Sequence, residues 1–331
     1  MSHNRRGVRQ MDEQSDPTGS PQREVATMAR TSSVAPEDRE LSAITDPATE
    51  IFLAHRNLLF TVAYELLGSA ADAEDVVQET WLRWTGVELD AVRDQRAYLI
   101  KITTRQAVDR LRTLARRKET YIGPWLPEPL LTTPDIADDV VLADSISLAM
   151  LTVLETLTPT ERAVFVLREV FGLAHDEIAE AVDKSPAAVR QIAHRARRAV
   201  AVRRPRAVAD PVEGRAVAEA FRQALRTGDL QGLLEVLAPD VVLVADGGGI
   251  RVAVQQPLYG ADAVADFFRR VDPPILRPAV INGKPALIAD RAGEIETVIS
   301  LHIADGAISR LSIVRNPHKL GRLNRETRLT R

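Results

Sequence analysis

The segment from Lys184 to Arg206 concentrates positive charge in a chain of 331 residues whose net charge is −3. It contains eight lysine and arginine side chains and no aspartate or glutamate. Cations at this density neutralise nucleic-acid phosphates and release counterions, which produces affinity that does not depend on base sequence. The chemistry indicated is binding of a polyanion, and the alternative is a basic face that is only solvated.

The residues around this segment predict three helices in the order of a helix-turn-helix. Thr158-Pro159-Thr160-Glu161 places a capping hydroxyl, a proline and a glutamate where the first helix begins. A short helix follows through Glu177–Val182, and Ser185-Pro186 caps the third. Small and aliphatic side chains recur at helical spacing in the third helix and predict a buried stripe, which directs the cations outward. This arrangement is typical of a recognition helix.

A second basic helix and an acidic helix lie upstream. Seven cations surround the single Asp109 in the helix expected from Tyr98 to Lys118. They are Lys101, Arg105, Arg110, Arg112, Arg116, Arg117 and Lys118. Before them, residues 72–84 predict an amphipathic helix with Asp75, Gln78 and Glu79 exposed. Carboxylates repel nucleic acid, so we expect this acidic surface to meet a protein.

The order of these motifs resembles that of the bacterial extracytoplasmic-function (ECF) sigma factors. The helix of Asp72–Glu79, the helix of Arg96–Arg112 and the segment Leu157–Arg197 follow one another as in that family. Two further segments resemble the subgroup with a fused SnoaL-like C-terminal domain. They are Tyr121–Leu130, and Asn316–Leu320, in which His318 replaces an aspartate. The resemblance covers residues 47–320.

The resemblance implies a multidomain fold with two all-α sigma domains followed by an α+β SnoaL-like, or NTF2-like, cone. The expected parts are a disordered extension at 1–46, sigma region 2 at 47–120, a proline-rich linker at 121–141, region 4 with the helix-turn-helix at 142–206, the SnoaL-like domain at 212–320 and a basic tail at 321–331. Met11 or Met28 are alternatives to Met1 as the start.

The same resemblance implies roles for individual residues in transcription initiation. Asp75, Gln78 and Glu79 would bind the clamp of core RNA polymerase, and region 4 would meet its flap. Lys101, Arg105, Arg110, Arg112 and Arg116 would bind the melted proximal (minus-ten) promoter element, with Arg105 where most members have an asparagine. At the distal (minus-thirty-five) element, Arg190, Gln191, His194 and Arg195 would meet base edges or adjacent phosphates, and Arg197 and Arg198 phosphates.

The resemblance also implies that the C-terminal domain modulates activity in cis, in place of a separate anti-sigma protein. The residues expected at this interdomain contact are Trp125, Leu126, Pro127, Asp246, Asn316, Pro317, Lys319 and Leu320. The apolar side chains from Trp125 to Leu131 need a cover. Packing on the nearest sigma domain and docking on the C-terminal domain are both open at this point.

The pattern after Pro211 predicts helices at Gly214–Thr227, Asp229–Ala238 and Ala261–Arg270. The expected strands are Val241–Val244, Ala279–Asn282, Ala286–Ala289, Glu296–Ile303 and Ala307–Val314, in an antiparallel sheet with a hairpin turn at Asp305-Gly306. Candidates for acid–base chemistry in the cone are Asp246, Asp262, Asp266 and His302. A lone histidine on a strand is more often structural than catalytic, so we expect no catalytic residue.

Composition limits the remaining classes. The chain has no cysteine, which excludes disulfides and thiolate metal sites, and no apolar run long enough to span a membrane. We expect a cytoplasmic protein with no metal and no cofactor, whose cone could hold a small-molecule ligand of unknown identity. Two alternatives remain open: a one-component helix-turn-helix regulator with a ligand-sensing domain, and a bifunctional SnoaL-like enzyme.

Overall fold

The computed structural model describes residues 46–118, 120–133, 139–203, 211–271, 275–291 and 293–331. The extension expected to be disordered therefore lies outside the described residues, apart from Asp46. Residues 46–331 belong to one compact unit. None of the helices in the described ranges has the length and apolar character that a membrane span requires.

The first helical domain, residues 46–118, consists of α1 (Pro47–Leu67), α2 (Ala70–Trp84) and α3 (Gln95–Lys118), with a short 3₁₀ helix at Leu89–Ala91. Gly68 ends α1 in the left-handed conformation, at φ 66°, and its N–H bonds to the carbonyl of Tyr64. Ser69 then caps α2 by accepting the N–H of Asp72. The tight turn brings α1 and α2 together around fully buried Trp84, whose indole N–H donates to Ala48 O at 2.7 Å.

The second helical domain, residues 139–203, contains α4 (Val140–Ser145), α5 (Leu148–Leu154), α6 (Pro159–Glu169), α7 (His175–Val182) and α8 (Pro186–Arg203). The capping box at the start of α6 is formed, with the Thr158 hydroxyl and the Glu161 carboxylate each bonding to the other's backbone N–H. Asp183 adopts the left-handed conformation and ends α7. The predicted helix-turn-helix is confirmed, with α8 as its last helix.

The C-terminal domain begins with α9 (Pro211–Thr227) and α10 (Leu230–Val236) and continues into a six-stranded sheet. Its strands are β1 (Leu237–Asp246), β2 (Leu258–Tyr259), β3 (Leu276–Ile281), β4 (Lys284–Arg291), β5 (Glu294–Ala304) and β6 (Ala307–Val314), and α11 (Ala261–Arg270) precedes β3. The expected order of two helical domains followed by an α+β domain is confirmed.

Two details of the sheet differ from the sequence prediction. The strand order is β2-β1-β6-β5-β4-β3, and β1 pairs with β6 in parallel, so the sheet is mixed rather than antiparallel. The crossover through α11 connects β2 to β3 at the far edge of the sheet. The antiparallel strands β3 to β6 then bring the chain back, so that β6 lies beside β1 and runs in the same direction. The helix predicted to reach Ala238 ends at Val236, because Leu237 already pairs with Ile308.

The two faces of the sheet are covered by different parts of the chain. One face packs against α9, α10 and α11, where Phe221 and Phe268 meet edge to face at 5.5 Å. The other face buries Val244, Ile288 and Val298 against apolar residues from outside the sheet. These include Leu126 of the linker, Leu148 of α5, and Leu320 and Leu323 beyond β6. The second face therefore joins the C-terminal domain to the rest of the molecule.

Candidate nucleic-acid interface and interdomain contact

The recognition helix α8 presents its polar residues to solvent. Val189 and Ala196 are fully buried against the rest of the second helical domain, which turns the opposite face outward. The exposed residues are Arg190, Gln191, His194, Arg195, Arg197 and Arg198. The first four line an open surface pocket of about 430 Å³. This face can meet the edges of bases in a major groove.

Two cations of α8 are partly engaged by acidic residues of α6. Arg197 Nη2 lies 2.7 Å from Glu169 Oε1, and Arg195 lies 3.9 Å from Glu161. The hydrogen bond with Glu169 raises the pKa of Arg197. Both arginines are more than half exposed, so water and salt screen these pairs and leave the guanidinium groups available to phosphate.

The basic helix α3 is bound in its N-terminal half to α7 of the second helical domain. Lys101 Nζ lies 2.9 Å from Glu180 Oε2, and Arg105 Nη2 donates to the carbonyl of Glu180 at 2.8 Å. The hydrogen bond from Lys101 lowers the pKa of Glu180. Two residues expected at the melted promoter element are thus occupied by the domain expected at the distal element.

The other expected contacts of α3 lie toward α2 or toward solvent. Arg110 pairs with Asp72 at 2.5 Å and with Asp75 at 3.2 Å, which raises its pKa. Arg112 pairs with Asp109 at 2.7 Å. Arg116 lies on the last turn of α3, and its side chain is outside the described part. Gln78 and Glu79 are exposed on α2 with Asp75, so the residues expected to bind polymerase share one surface.

Asp246, at the end of β1, is the centre of the interdomain contact. Its carboxylate is fully buried and accepts hydrogen bonds from Tyr121 Oη at 2.6 Å, from the N–H of Leu126 at 2.9 Å and from Lys319 Nζ at 2.7 Å. It also accepts the N–H of Gly248 at 3.0 Å. Both oxygens accept hydrogen bonds, and the donors come from three separate segments.

The segment Asn316–Leu320, the closing motif, binds the linker on the same side as Asp246. Lys319 Nζ donates to Leu126 O at 2.5 Å and lies 4.1 Å from the centre of the Trp125 ring. Asn316 Nδ2 donates to Tyr121 Oη at 2.7 Å. Leu320 is buried, whereas Pro317 and His318 of the following 3₁₀ turn are exposed. Of the expected interdomain residues, the structure brings all except Pro317 and Pro127 into this cluster.

The opposite side of the linker is bound by the first helical domain. Pro127 is buried and lies near Gly68, and Glu128 N–H donates to Gly68 O at 2.8 Å. The Glu128 carboxylate accepts the N–H of Ala70 at 2.8 Å, at the positive end of α2. Burial raises the pKa of Glu128, and these backbone donors oppose the rise. The linker therefore packs both on the first helical domain and on the C-terminal domain, which are the two possibilities that the sequence left open.

Asn282, predicted as the last residue of the strand Ala279–Asn282, lies beyond the end of β3 at Ile281 and joins three segments. It lies in the β3–β4 turn at φ 53°, fully buried. Its Nδ2 donates to Tyr64 Oη at 2.7 Å and to Ile146 O at 2.8 Å, and its Oδ1 accepts the N–H of Leu130 at 2.8 Å. The Asn-Gly pair at 282–283 is a hairpin-turn signal, and this was the only feature of the sequence that marked the position.

Buried ionisable residues lie between α1 and the second helical domain. Glu65 is fully buried, accepts the Ser145 hydroxyl at 2.7 Å, and has a pKa raised by burial to about 8. Arg162 is 2% exposed, donates to the carbonyl of Glu65 at 2.9 Å and pairs with Glu155 at 2.6 Å. These polar contacts hold the two helical domains against each other.

The candidates for acid–base chemistry are not brought together. Asp246 belongs to the interdomain contact, Asp262 is exposed on α11, and Asp266 pairs with Arg269 and Arg270. His302 faces Arg310 across β5 and β6, on the sheet face opposite α9, α10 and α11. Within the described ranges, histidine and acidic residues form no group of three able to hold a metal.

Two family models match the helical domains. The model of sigma-70 region 2 matches residues 51–117, and that of sigma-70 region 4 matches residues 147–200. The ECF RNA polymerase sigma factor SigJ of Mycobacterium tuberculosis is 36% identical over 81% of this chain and 91% of its own length. The chain belongs to the ECF RNA polymerase sigma factors.

Two further likenesses extend over the full arrangement of this sigma factor. The probable ECF sigma factor SigI of M. tuberculosis is 35% identical over 85% of this chain and 97% of that protein. The crystal structure of M. tuberculosis SigJ matches with a TM-score of 0.68 and 33% identity, over 82% of this chain and 97% of that chain. The first helical domain is therefore region 2, the second is region 4, and the C-terminal domain is part of the matched architecture.

Proposed function

We propose that this sigma factor binds core RNA polymerase, directs promoter-specific initiation, and is held in a closed state by its own C-terminal domain. The observation that carries the proposal is the contact of Lys101 and Arg105 with Glu180. This contact joins α3, which is expected to bind the proximal promoter element, to region 4, which is expected to bind the distal element. A protein built to bind both elements at once has to break this contact.

Distance supports the need for opening. The minus-ten and minus-thirty-five elements are by their names about 25 base pairs apart, which is roughly 85 Å of B-form DNA at about 3.4 Å per base pair. Here α3 touches α7, and α7 is followed directly by the recognition helix α8. Regions 2 and 4 must therefore separate by tens of ångströms before each reaches its element, and this sets an open and a closed arrangement in equilibrium.

The C-terminal domain is placed to bias that equilibrium. The linker between regions 2 and 4 is held by Asp246 and Lys319 on one side and by Gly68 and Ala70 on the other. A linker bound at so many points cannot extend. Its release from the C-terminal domain would free regions 2 and 4 to separate.

The test is in vitro transcription with purified bacterial core RNA polymerase on a library of promoter fragments. The full chain is compared with Asp246→Asn/Lys319→Met, which removes the buried ion pair, and with Asp262→Asn as an exposed control. We expect initiation that depends on this protein and increases in the double variant only. Duplex DNA binding without initiation by any form would contradict the proposal and favour a one-component regulator.

A further inference from the structure

The residues that follow the closing motif, Gly321–Arg331, return to region 2 as a tail. Arg322 Nη2 donates to Glu74 Oε2 at 2.7 Å, and Arg325 Nη2 donates to Glu74 Oε1 at 3.1 Å. The bond from Arg322 holds the pKa of Glu74 below its usual range. Two guanidinium groups thus share one carboxylate on α2, the helix whose exposed face is expected to bind polymerase.

A second set of contacts holds the tail at its last three residues, after the contacts of Arg322 and Arg325 with Glu74. Leu329 is 5% exposed and lies in the hydrophobic core formed by regions 2 and 4. The N–H of Thr330 donates to Thr61 Oγ1 of α1 at 3.0 Å, and Arg331 Nε lies 2.6 Å from Asp139 Oδ2. The tail is therefore attached to α2 by charge and to α1 by an apolar side chain and a backbone hydrogen bond.

Between these two sets of contacts the tail extends the sheet of the C-terminal domain. Thr132 N–H donates to Val280 O of the edge strand β3 at 3.0 Å, and Thr327 N–H donates to Leu131 O at 2.8 Å. Thr132 and Thr327 form a parallel bridge. The linker thus lies between β3 and the tail, and it cannot leave β3 outward while the tail is in place.

We propose that the tail competes in cis with core RNA polymerase for the surface of α2 around Glu74. The proposal rests on the proposed function, because it takes Asp75, Gln78 and Glu79 as the polymerase contact. Glu74 adjoins Asp75 in sequence and lies one helical turn from Gln78, with Cβ atoms about 6 Å apart. A protein surface that covers Asp75 and Gln78 therefore meets the guanidinium groups bound at Glu74.

The chemistry of the tail matches that of the partner it would exclude. The exposed face of α2 is acidic, so a complementary polymerase surface is basic, as is the tail. The tail acts at the high effective concentration of an attached segment. Its ion pairs are partly exposed, with side-chain exposures of 27% for Arg322 and 63% for Arg325, so they are weak enough to be displaced.

The experiment measures binding of the full chain to purified bacterial core RNA polymerase at low salt. Arg325→Glu is compared with Arg328→Glu, which makes the same charge change at another exposed position of the tail. We expect Arg325→Glu to bind about three- to tenfold more tightly than the unmodified chain, and Arg328→Glu to bind within about twofold of it. Thermal unfolding of each variant checks that the fold is intact.

A second measurement follows the tail itself. Hydrogen exchange at the amides of Thr327 and Thr330 is recorded for the unmodified chain with and without core polymerase, and we expect both amides to lose protection in the complex. Retained protection, or equal affinity of all three forms, overturns the competition and leaves the proposed function standing. Failure of every form to bind polymerase overturns the proposed function and the competition with it.

Discussion

At the scale of single residues, buried polar groups join the parts of this sigma factor beside its apolar contacts. Asp246, Asn282 and Glu128 are each buried and each bonded to a different segment. A buried polar group specifies one geometry, because misplacement leaves a donor or acceptor unsatisfied. The same groups are rehydrated when an interface opens, which lowers the cost of separation relative to an apolar contact.

The variant Asp246→Asn tests how much a buried polar group contributes at the centre of the interdomain contact. The variant leaves the ammonium group of Lys319 in a nearly buried place without its carboxylate, so we expect the free energy of unfolding to fall by about 2–4 kcal/mol. Chemical denaturation followed by circular dichroism measures the change. Asp262→Asn is the matched control, because Asp262 is exposed, and it is expected to change stability by less than about 0.5 kcal/mol.

Glu65 gives the contact between regions 2 and 4 a dependence on pH. Burial raises its pKa to about 8 in the packed form, beside Ser145 and Arg162, whereas a solvated glutamate titrates near 4.5. The packed form therefore binds a proton that the solvated form releases, and stability is lost as pH rises from about 4.5 through about 8. Acidification favours the packed form.

Glu65→Gln removes this titration and keeps a group able to bond Ser145. We expect the variant to be more stable than the unmodified chain at pH 8, by on the order of 1–3 kcal/mol, with the difference shrinking toward pH 5. Denaturation midpoints measured across that range test the expectation. A difference that grows as the pH falls would contradict the assigned direction.

At the scale of elements, α7 covers part of the basic face of α3. Glu180 occupies Lys101 with its carboxylate and Arg105 with its carbonyl. Arg105, which stands where the family resemblance implies an asparagine, is therefore bonded to region 4 in this structure. The helix that precedes the recognition helix thus acts as a cover for the basic helix of region 2.

Glu180→Gln weakens that cover while leaving the carbonyl contact to Arg105. We expect a few-fold increase in the affinity of the full chain for single-stranded proximal-element DNA at low salt, because Lys101 becomes available to phosphate. Fluorescence anisotropy with a labelled oligonucleotide measures it. Asp176→Asn removes an exposed charge from the same helix, and an equal gain there would show that net charge alone is responsible.

The recognition helix α8 provides a prediction about salt. Arg198 is exposed and expected at phosphate, so Arg198→Ala should reduce the slope of log K against log salt by about one for any duplex. Arg190→Ala should instead cost about 1–3 kcal/mol at the preferred sequence only. Equilibrium binding at several salt concentrations, on specific and nonspecific duplexes, separates the two.

At the scale of the whole molecule, the linker is the point where all parts meet. Region 2 bonds to Glu128 of the linker, the tail bonds to Leu131, and the C-terminal domain bonds to residues on either side of both. In the proposed function, release of the linker from the C-terminal domain is one of the steps that let regions 2 and 4 separate, together with loss of their direct contacts.

Opening can be measured directly, because the chain has no cysteine and accepts single labels. Spin labels at Glu50→Cys and Ala187→Cys, both exposed, report the separation of regions 2 and 4. We expect one short distance in the free protein and an increase of tens of ångströms with core polymerase and promoter DNA. An unchanged distance in that complex would contradict the closed-to-open transition.

Local features of the sequence were sufficient for most of the fold. The capping box at Thr158, the helical stripe around Val189 and the turn at Asp305-Gly306 depend on neighbours within a few positions. The same short-range patterns carried the family resemblance. The promoter and polymerase contacts expected from it stay predictions, because their partners are absent from the chain.

Only the tertiary structure decided how the parts are held together. The parallel pairing of β1 with β6, the two-sided binding of the linker, the junction at Asn282 and the return of the tail to Glu74 were not predicted. Asn282 and Tyr64 are 218 positions apart, and Arg322 and Glu74 are 248 apart. Local propensity cannot choose among such distant pairings, because each depends on burial and complementarity that exist only once the domains have packed. The sequence therefore determined the helices, most of the strands and the family, and the tertiary packing determined which of their polar groups meet.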